Sequence, residues 1–261
     1  MSKDLYDSSF FEGQSQNSYL SATEYAKRVA EILRPSSVVD LGCGVGTWLK
    51  AFAEQGAIRL VGIDGPWVDK QNLVDDEIEF IPHDLNSALS IDHERFDLAI
   101  CMETAEHLRK ESSSTVVSNL VSLSDVVIFS AAYSHQGGTN HINEQRHSYW
   151  ASIFIENGYI PYDFFRPIMW GNESVEFWYQ QNAFLFVKSG AIIAKRLEQA
   201  AAIPITNLEF MNCVHPDLYD RKVRLAQLSM IPRTSETRLP PKGIMSFARS
   251  LRRRYLESRA T

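Results

Sequence analysis

A doubly wound α/β domain on a mostly parallel sheet is the fold class the sequence predicts, and three observations carry it. Short apolar runs of strand length alternate with amphipathic helical segments from Thr23 to Lys188, the pattern of a buried sheet with helices on both faces. One run passes straight into Gly42, Gly44 and Gly46 and then into a helix, the strand–turn–helix step at which such sheets bind nucleosides. The last two extended runs have no long helix between them. A parallel crossover needs one, so an antiparallel hairpin at a sheet edge is expected there.

The elements follow in chain order. TEYAKRVAEILRP places Tyr25, Val29, Ile32 and Leu33 on one helical face, and Pro35 ends the helix, since proline lacks the N–H that would continue it. SVVDLG is a buried strand, and GTWLKAFAEQG is a helix stopped by Gly56. IRLVGID, IEFIPHD and FDLAICM read as the second, third and fourth strands. AEHLRKESSSTVVSNLVSL is helical with a break at its serine cluster, and DVVIFSAA is the fifth strand. SYWASIFIENGY is an amphipathic helix ending at Gly158, and YIPYDFF and NAFLFVK form the closing pair. Ligands of such sheets sit at the carboxyl ends of the strands.

The 261 residues carry 26 Lys and Arg against 32 Asp and Glu, with 44% hydrophobic and 22% charged residues. Those proportions exclude wholesale disorder, collagen-like repeats and a multi-span membrane protein. Cys43, Cys101 and Cys213 are far apart in sequence and have no metal or redox spacing, which favours a reducing compartment. No apolar run follows a basic start at the N-terminus, so neither a signal nor a transit peptide is read and a cytoplasmic location is expected.

Charge is divided unevenly. From Arg221 to Thr261 there are 11 Lys and Arg against 2 Asp and Glu, a net of +9, which leaves −15 for residues 1–220. Within that tail TSETRLPPKG reads as a linker, and MSFARSLRRRYLESRA as a short basic helix with Phe247, Leu251 and Tyr255 at helical spacing. Such a helix suits an anionic membrane surface, a phosphate-rich ligand or the acidic face of a partner subunit, including a second copy of the chain; a solvated tail is the plain alternative. The expected division is a domain over residues 1–190 and a helical extension with basic tail over 191–261. Tyr6, Phe10, Phe11 and Tyr19 are candidates for an N-terminal lid.

The glycine spacing is GxGxG, whereas a dinucleotide fingerprint would be GxGxxG. Asp40 stands two residues before Gly42, where a carboxylate repels phosphate and suits a ligand carrying an ammonium and a sulfonium. Asp64 ends the second strand 24 residues after Asp40, placed to accept both ribose hydroxyls. Asp84 ends the third strand in IPHDL, placed to receive an adenine amino group. One such carboxylate is ordinarily a solvated loop residue. Three at successive strand ends, joined to a glycine turn, point to a bound nucleoside.

VVDLGCGVGTWL, VGIDG and HDL resemble motifs of the class I S-adenosylmethionine-dependent methyltransferases, over about residues 18–190. The resemblance implies a seven-stranded, Rossmann-like sheet whose last strand is antiparallel, with S-adenosyl-L-methionine lying over the glycines. It puts Asp40 and Gly42 at the methionine part, Asp64 at the ribose, and Asp84 with Leu85 at the adenine. Gly44, Gly65 and Met102 complete the implied cofactor set. QGGTNHINEQ, SYW and WYQQNAFLFV resemble a bacterial branch associated with glycan or secondary-metabolite methylation.

After the fourth strand the chain reads Glu103-Thr104-Ala105-Glu106-His107. If a helix begins near Glu103, spacings of three and four residues turn Glu103, Glu106 and His107 to one side, and two carboxylates with an imidazole suit a divalent cation. The alternative makes Glu103 a helix-start charge and His107 a packing residue. ExxEH at this place resembles the metal motif of small-RNA 2′-O-methyltransferases and ubiquinone-pathway O-methyltransferases, although the surrounding residues differ. In the RNA enzymes a later histidine completes the site, and His141 holds the comparable position. The implied ligands for Mg²⁺ or Mn²⁺ are therefore Glu103, Glu106, His107 and His141.

The expected function is metal-assisted methylation of a hydroxyl on a sugar, glycan or related small molecule. His141 could instead be the general base, with His135 its substitute, while His83 and His147 are read as structural or surface residues. Tyr133, Trp150, Trp170, Trp178 and Tyr179 could cover the acceptor or simply pack. Metal-independent N-, C- or carboxyl methylation is the nearest alternative, and a non-catalytic binding subunit is another. A nucleic-acid substrate gripped by the tail is disfavoured by the −15 of the body.

Overall fold

The computed structural model describes residues 8–90, 95–200 and 202–229, with side chains of the first helix described from Asn17 onward. The Pro-rich linker, the basic tail helix, Tyr6 and the side chains of Phe10 and Phe11 lie outside the described residues.

Seven strands form one sheet: β1 (Ser37–Leu41), β2 (Arg59–Asp64), β3 (Glu79–Pro82), β4 (Leu98–Met102), β5 (Val126–Ser130), β6 (Tyr159–Tyr162) and β7 (Phe184–Lys188). Their order is β3-β2-β1-β4-β5-β7-β6. The first five pair in parallel, and β7 runs antiparallel to both β5 and β6. The chain therefore reverses direction on either side of β1, which opens the switch point beside the glycine turn.

Alternation along the strands divides the core into two layers. Val38, Leu98, Ile100, Ile128, Leu185 and Val187 face α1 (Ser8–Ile32) and α2 (Thr47–Ala53), meeting Tyr25, Val29, Leu49 and Phe52. Val39, Leu41, Ala99, Val127, Phe129 and Phe186 face α3 (Ser113–Leu123) and α4 (His147–Glu156), meeting Val117, Leu120, Trp150 and Phe154. In that second layer Phe154 stacks on Phe186 with ring centroids 3.9 Å apart. The hairpin connection holds two short helices, α5 (Arg166–Met169) and α6 (Phe177–Asn182).

Two helical expectations are corrected. The first helix starts well before Thr23, because Ser, Gln and Asn between residues 14 and 18 weaken the apolar period without breaking the helix. The expected helix from Ala105 does not form as one piece: 3₁₀ turns at Ala105–His107 and Lys110–Ser112 precede α3, which begins inside the serine cluster. Past residue 190 the chain continues to pack. Ile193 and Leu197 of α7 (Ile193–Gln199), Met211 and Leu218 are buried. One compact unit runs to Leu218 and a second is counted from Tyr219, with α8 covering Pro216–Ser229. No helix among the described residues is long and apolar enough to cross a membrane.

Candidate active site

The turn after β1 is left-handed at Gly42, Gly44 and Gly46, with φ of 92°, 51° and 85°. A Cβ on Gly42 would overlap the Thr104 side chain, whereas one on Gly44 would meet nothing within 4 Å. The two glycines thus have different tasks: Gly42 admits a neighbouring loop, and Gly44 keeps open space over the strand end. Asp64 ties this turn to β2, its Oδ2 accepting from Gly44 N at 2.9 Å and its Oδ1 from Gly65 N at 2.6 Å. Burial raises its carboxyl pKa, and those two N–H bonds oppose the shift. Asp40 is 2% exposed and its Oδ1 has no hydrogen-bond partner. Burial, then the nearby Asp64, push its carboxyl well above the usual range. An orphaned buried carboxylate oxygen fits a ligand that brings an ammonium group.

Asp84 and Leu85 follow β3. Asp84 is exposed and accepts from the backbone and side-chain nitrogens of Asn86 at 3.1 and 3.0 Å, bonds that lower its pKa. Leu85 and Met102 are buried, at 3% and 6% exposure.

Glu103 follows β4 with a φ of 51°, so the chain turns sharply where a helix was expected. Its side chain points to a polar bracket: Oε1 accepts from Ser130 Oγ at 2.8 Å and Asn182 Nδ2 at 3.0 Å. Gln136 Nε2 lies 3.4 Å from Oε2. Glu106, His107 and His141 do converge, each offering a ligand atom within 4.8 Å of the others. Glu103 is outside that group, because its left-handed backbone and the bracket hold its carboxylate elsewhere. It nevertheless lies close enough to Glu106 for their charges to interact. Burial, then Glu103, push the Glu106 carboxyl well above its ordinary pKa.

Chain path rather than helix periodicity assembles this cluster. The N–H groups of Ile142 and Asn143 both donate to Glu106 O, at 2.9 and 3.0 Å, and the buried Asn143 amide donates to Ala105 O and Ser113 Oγ. His141 Nδ1 lies 2.9 Å from Glu144 Oε1, and His107 Nδ1 lies 3.3 Å from Asn140 O. A carboxylate and a carbonyl can only accept, so each Nδ1 carries a proton and Nε2 is the nitrogen that a neutral ring offers to a ligand. Glu106 is 0% exposed, no hydroxyl, amide or basic side chain donates to its oxygens, and its carboxyl meets that of Glu103. This donor set fits a divalent cation.

His135 is exposed. His147, expected to be structural, is 3% exposed between the Tyr133 and Phe184 rings, with Nδ1 2.8 Å from Met211 O and Nε2 3.0 Å from Asn182 Oδ1. Burial lowers its pKa from 6.5 to about 4, against the opposing pull of the two acceptor oxygens, only one of which the neutral ring can donate to. As pH falls, the unfolded chain therefore takes up this proton first. Stability is expected to be full above about 6.5 and to fall by about 3 kcal/mol in total on the way to pH 4. Urea titrations at pH 7.0, 5.5 and 4.5 measure this, and His147→Gln should remove that component of the slope.

Among the aromatic candidates, Trp150 and Tyr179 are core residues at 1% and 6% exposure, whereas Trp170 is 39% exposed. Trp170 packs on His215 with centroids 4.6 Å apart, and His215 N donates to Gln181 Oε1 at 2.6 Å, one residue from Asn182. Tyr19 donates from its hydroxyl to Glu54. The bracket residues Gln136, Gln181 and Asn182 were not singled out from sequence. Gln136 opens the QGGTNHINEQ run and Gln181 and Asn182 lie in WYQQNAFLFV, runs that carried a resemblance but no role for these amides.

A family profile described as a methyltransferase domain matches residues 14–162. No curated protein gives a significant match. Among solved structures the chain is similar to Streptomyces venezuelae DesVI, with a TM-score of 0.54 and 13% identity over 69% of this chain and 95% of that one. An O-methyltransferase family protein from Burkholderia thailandensis gives a TM-score of 0.51 and 13% identity over 71% and 62% of the two chains. The plantazolicin methyltransferase BpumL, in complex with SAH, gives 0.51 and 14% over 69% and 88%. At these identities the likeness is one of fold.

Proposed function

The chain belongs to the methyltransferase-domain family and is an S-adenosylmethionine-dependent methyltransferase; on that premise we propose that it methylates a hydroxyl of a sugar, glycan or related small molecule with the help of a divalent cation. The observation that carries the metal is Glu106, a fully buried carboxyl that faces only the Glu103 carboxyl among side chains and whose ligand atom lies within 4.8 Å of those of His107 and His141. Burying such a charge without a counter-ion is costly. The exposed Trp170 face, linked through His215 and Gln181 to the Glu103 bracket, supports a sugar-like acceptor, since aromatic faces pack on C–H surfaces while amides reach hydroxyls.

In this reading Asp40 takes the donor's ammonium, Asp64 the ribose hydroxyls, and Asp84 with Leu85 the adenine, over the space that Gly44 keeps open. Gly42, Gly65 and Met102 shape the same pocket. Glu106, His107 and His141 would hold Mg²⁺ or Mn²⁺. When bound, the cation supplies Lewis-acid stabilisation of the oxygen that loses its proton. Because Glu144 fixes the proton on His141 Nδ1, the ring has one free lone pair and serves either as ligand or as base. As a ligand, His141 leaves Glu103 to take the hydroxyl proton, with its pKa raised by burial. Alignment of acceptor and donor supplies the remainder of the rate enhancement, up to roughly 7–11 kcal/mol for an ideal fit.

The test is methyl transfer from labelled donor to a panel of sugars and glycans, with and without chelator, beside calorimetric titration of Mn²⁺ into chelator-treated protein. One-site Mn²⁺ binding and transfer that stops in EDTA and returns with Mn²⁺ or Mg²⁺ are expected. Undiminished transfer in EDTA, to nitrogen, carbon or a carboxylate, overturns the reading.

A further inference from the structure

We propose that the groove between the β5–α4 loop, the first turns of α4 and the 3₁₀ turn Leu208–Met211 seats a sugar that carries an anionic group, a carboxylate or a phosphate, as part of the methyl acceptor. This rests on the sugar O-methyltransferase reading and narrows its substrate class.

The groove encloses about 420 Å³, within the roughly 300–1,000 Å³ of small-molecule sites. Its position follows from the topology. β5 ends at Ser130 and α4 begins at His147, so the loop between them lies at the carboxyl ends of the parallel strands, the end that also carries the glycine turn and Glu103. A bridge between Tyr133 and Gln145 ties the two ends of that loop together. Ser134 and Gln145 line the groove beside this bridge, while Gln136 and His141, between them in sequence, reach the Glu103 bracket and the candidate metal cluster. One loop thus builds both the groove and the site of chemistry.

The polar atoms left over in the groove specify a ligand. Arg28, Arg95 and Arg166 pair with carboxylates at 2.9, 2.6 and 2.6 Å, whereas among the described residues no carboxylate pairs with Arg146, which lines the groove in a body of net charge −15. Lys110 Nζ adds a second positive charge 5.9 Å from the centre of the Tyr149 ring, another part of the lining. Ser148 Oγ already accepts from Asn212 Nδ2 at 2.9 Å, so its O–H is left to donate. Ser152 Oγ donates to Ser148 O at 2.8 Å and keeps its lone pairs. Glu209 Oε2 accepts from Asn212 Nδ2 at 3.1 Å, which leaves Oε1. A guanidinium and a hydroxyl proton bind an anionic group, and lone pairs with a carboxylate oxygen receive sugar hydroxyls. A neutral sugar would leave Arg146 unpaired, and a bare phosphate would be repelled by Glu209. A sugar bearing the charge satisfies both.

The test uses the full chain in EDTA without donor, so that no metal binds the probe, and follows D-glucuronate, glucose 6-phosphate and glucose by saturation-transfer NMR. At least one charged sugar is expected to bind about 10-fold or more tightly than glucose, and the comparison between the two tells whether carboxylate or phosphate is preferred. Arg146→Gln should weaken the charged sugar on the order of 10- to 100-fold, to the level of glucose, and Ser148→Ala should weaken it a few-fold. The melting temperature of Arg146→Gln should equal that of wild type, because the side chain removed is exposed. In methyl transfer to an acceptor bearing the charge, Arg146→Gln should raise KM and leave kcat nearly unchanged. Equal binding of charged and neutral sugars, or a preference that survives Arg146→Gln, overturns the groove proposal and leaves the O-methyltransferase reading standing. Charged-sugar binding that depends on Arg146, beside transfer to nitrogen or carbon that persists in EDTA, keeps the groove and overturns that reading.

Discussion

Glu106→Gln is expected to lower methyl transfer by on the order of 10²–10⁴-fold while leaving the metal-free protein at least as stable as wild type. Loss of several kcal/mol of Lewis-acid stabilisation gives an activity effect of that size. The stability effect follows from the charge. Glu106 is 0% exposed, its carboxyl meets no side chain but the Glu103 carboxyl, and burial followed by that neighbour raises its pKa well above the ordinary value. For a carboxyl raised in this way the folded state binds the proton more tightly than the unfolded state. Its contribution is favourable at low pH and is lost as pH rises above the ordinary carboxylate range of about 4.5. Glutamine has nearly the same shape, no charge and an amide that can donate to Glu103. In EDTA at pH 8 the variant should therefore melt no lower than wild type, and Mn²⁺ should raise the melting point of wild type alone. A packing role predicts the reverse, a lower melting point with any activity loss following from it. That outcome would remove Glu106 from the metal site.

Much of this architecture was readable because it obeys simple periods. Val38, Val39 and Leu41 alternate between two buried layers, and the switch from that period to the helical one at Gly42–Thr47 marks the cofactor turn. The antiparallel pair at the edge followed from the missing crossover helix. The arrangement around Glu103 was not readable, because spacing of three and four residues implies convergence only on a helix, and a φ of 51° at a glutamate is not written in any local pattern. The polar bracket was hidden for a related reason. Gln136 lies after β5 and Asn182 ends α6, 46 residues apart in sequence, and neither residue type marks a site until the fold brings it to a carboxylate. His141 was found by resemblance, but what places it is the pair of backbone bonds from Ile142 and Asn143 to Glu106 O.

Gly42→Ala should separate a pocket that merely contains glycines from one whose two halves are built as a unit. At Gly42 the backbone is left-handed, φ 92°, and an added Cβ would collide with the Cβ, Oγ1 and Cγ2 of Thr104. Thr104 lies between Glu103 and the turn that carries Glu106 and His107, so the cofactor loop and the candidate metal loop press on each other at this point. Left-handed strain costs roughly 1–2 kcal/mol and overpacking a further 1–3 kcal/mol, so a loss of about 3 kcal/mol is expected in urea unfolding. Gly44→Ala provides the contrast. Its φ is 51° and its Cβ would face open space, so only the strain applies, and the new methyl group would intrude where the donor lies. Gly44→Ala should thus reduce S-adenosylhomocysteine affinity with only the strain cost of roughly 1–2 kcal/mol in stability, whereas Gly42→Ala should lose more stability and, by displacing Thr104, Mn²⁺ affinity as well. Adding Thr104→Gly to Gly42→Ala removes the collision but not the strain. A double-mutant cycle should then give a coupling of about 1–3 kcal/mol in the direction of rescue. Additive effects, with Mn²⁺ binding untouched by Gly42→Ala, would mean that the two loops fold and bind independently.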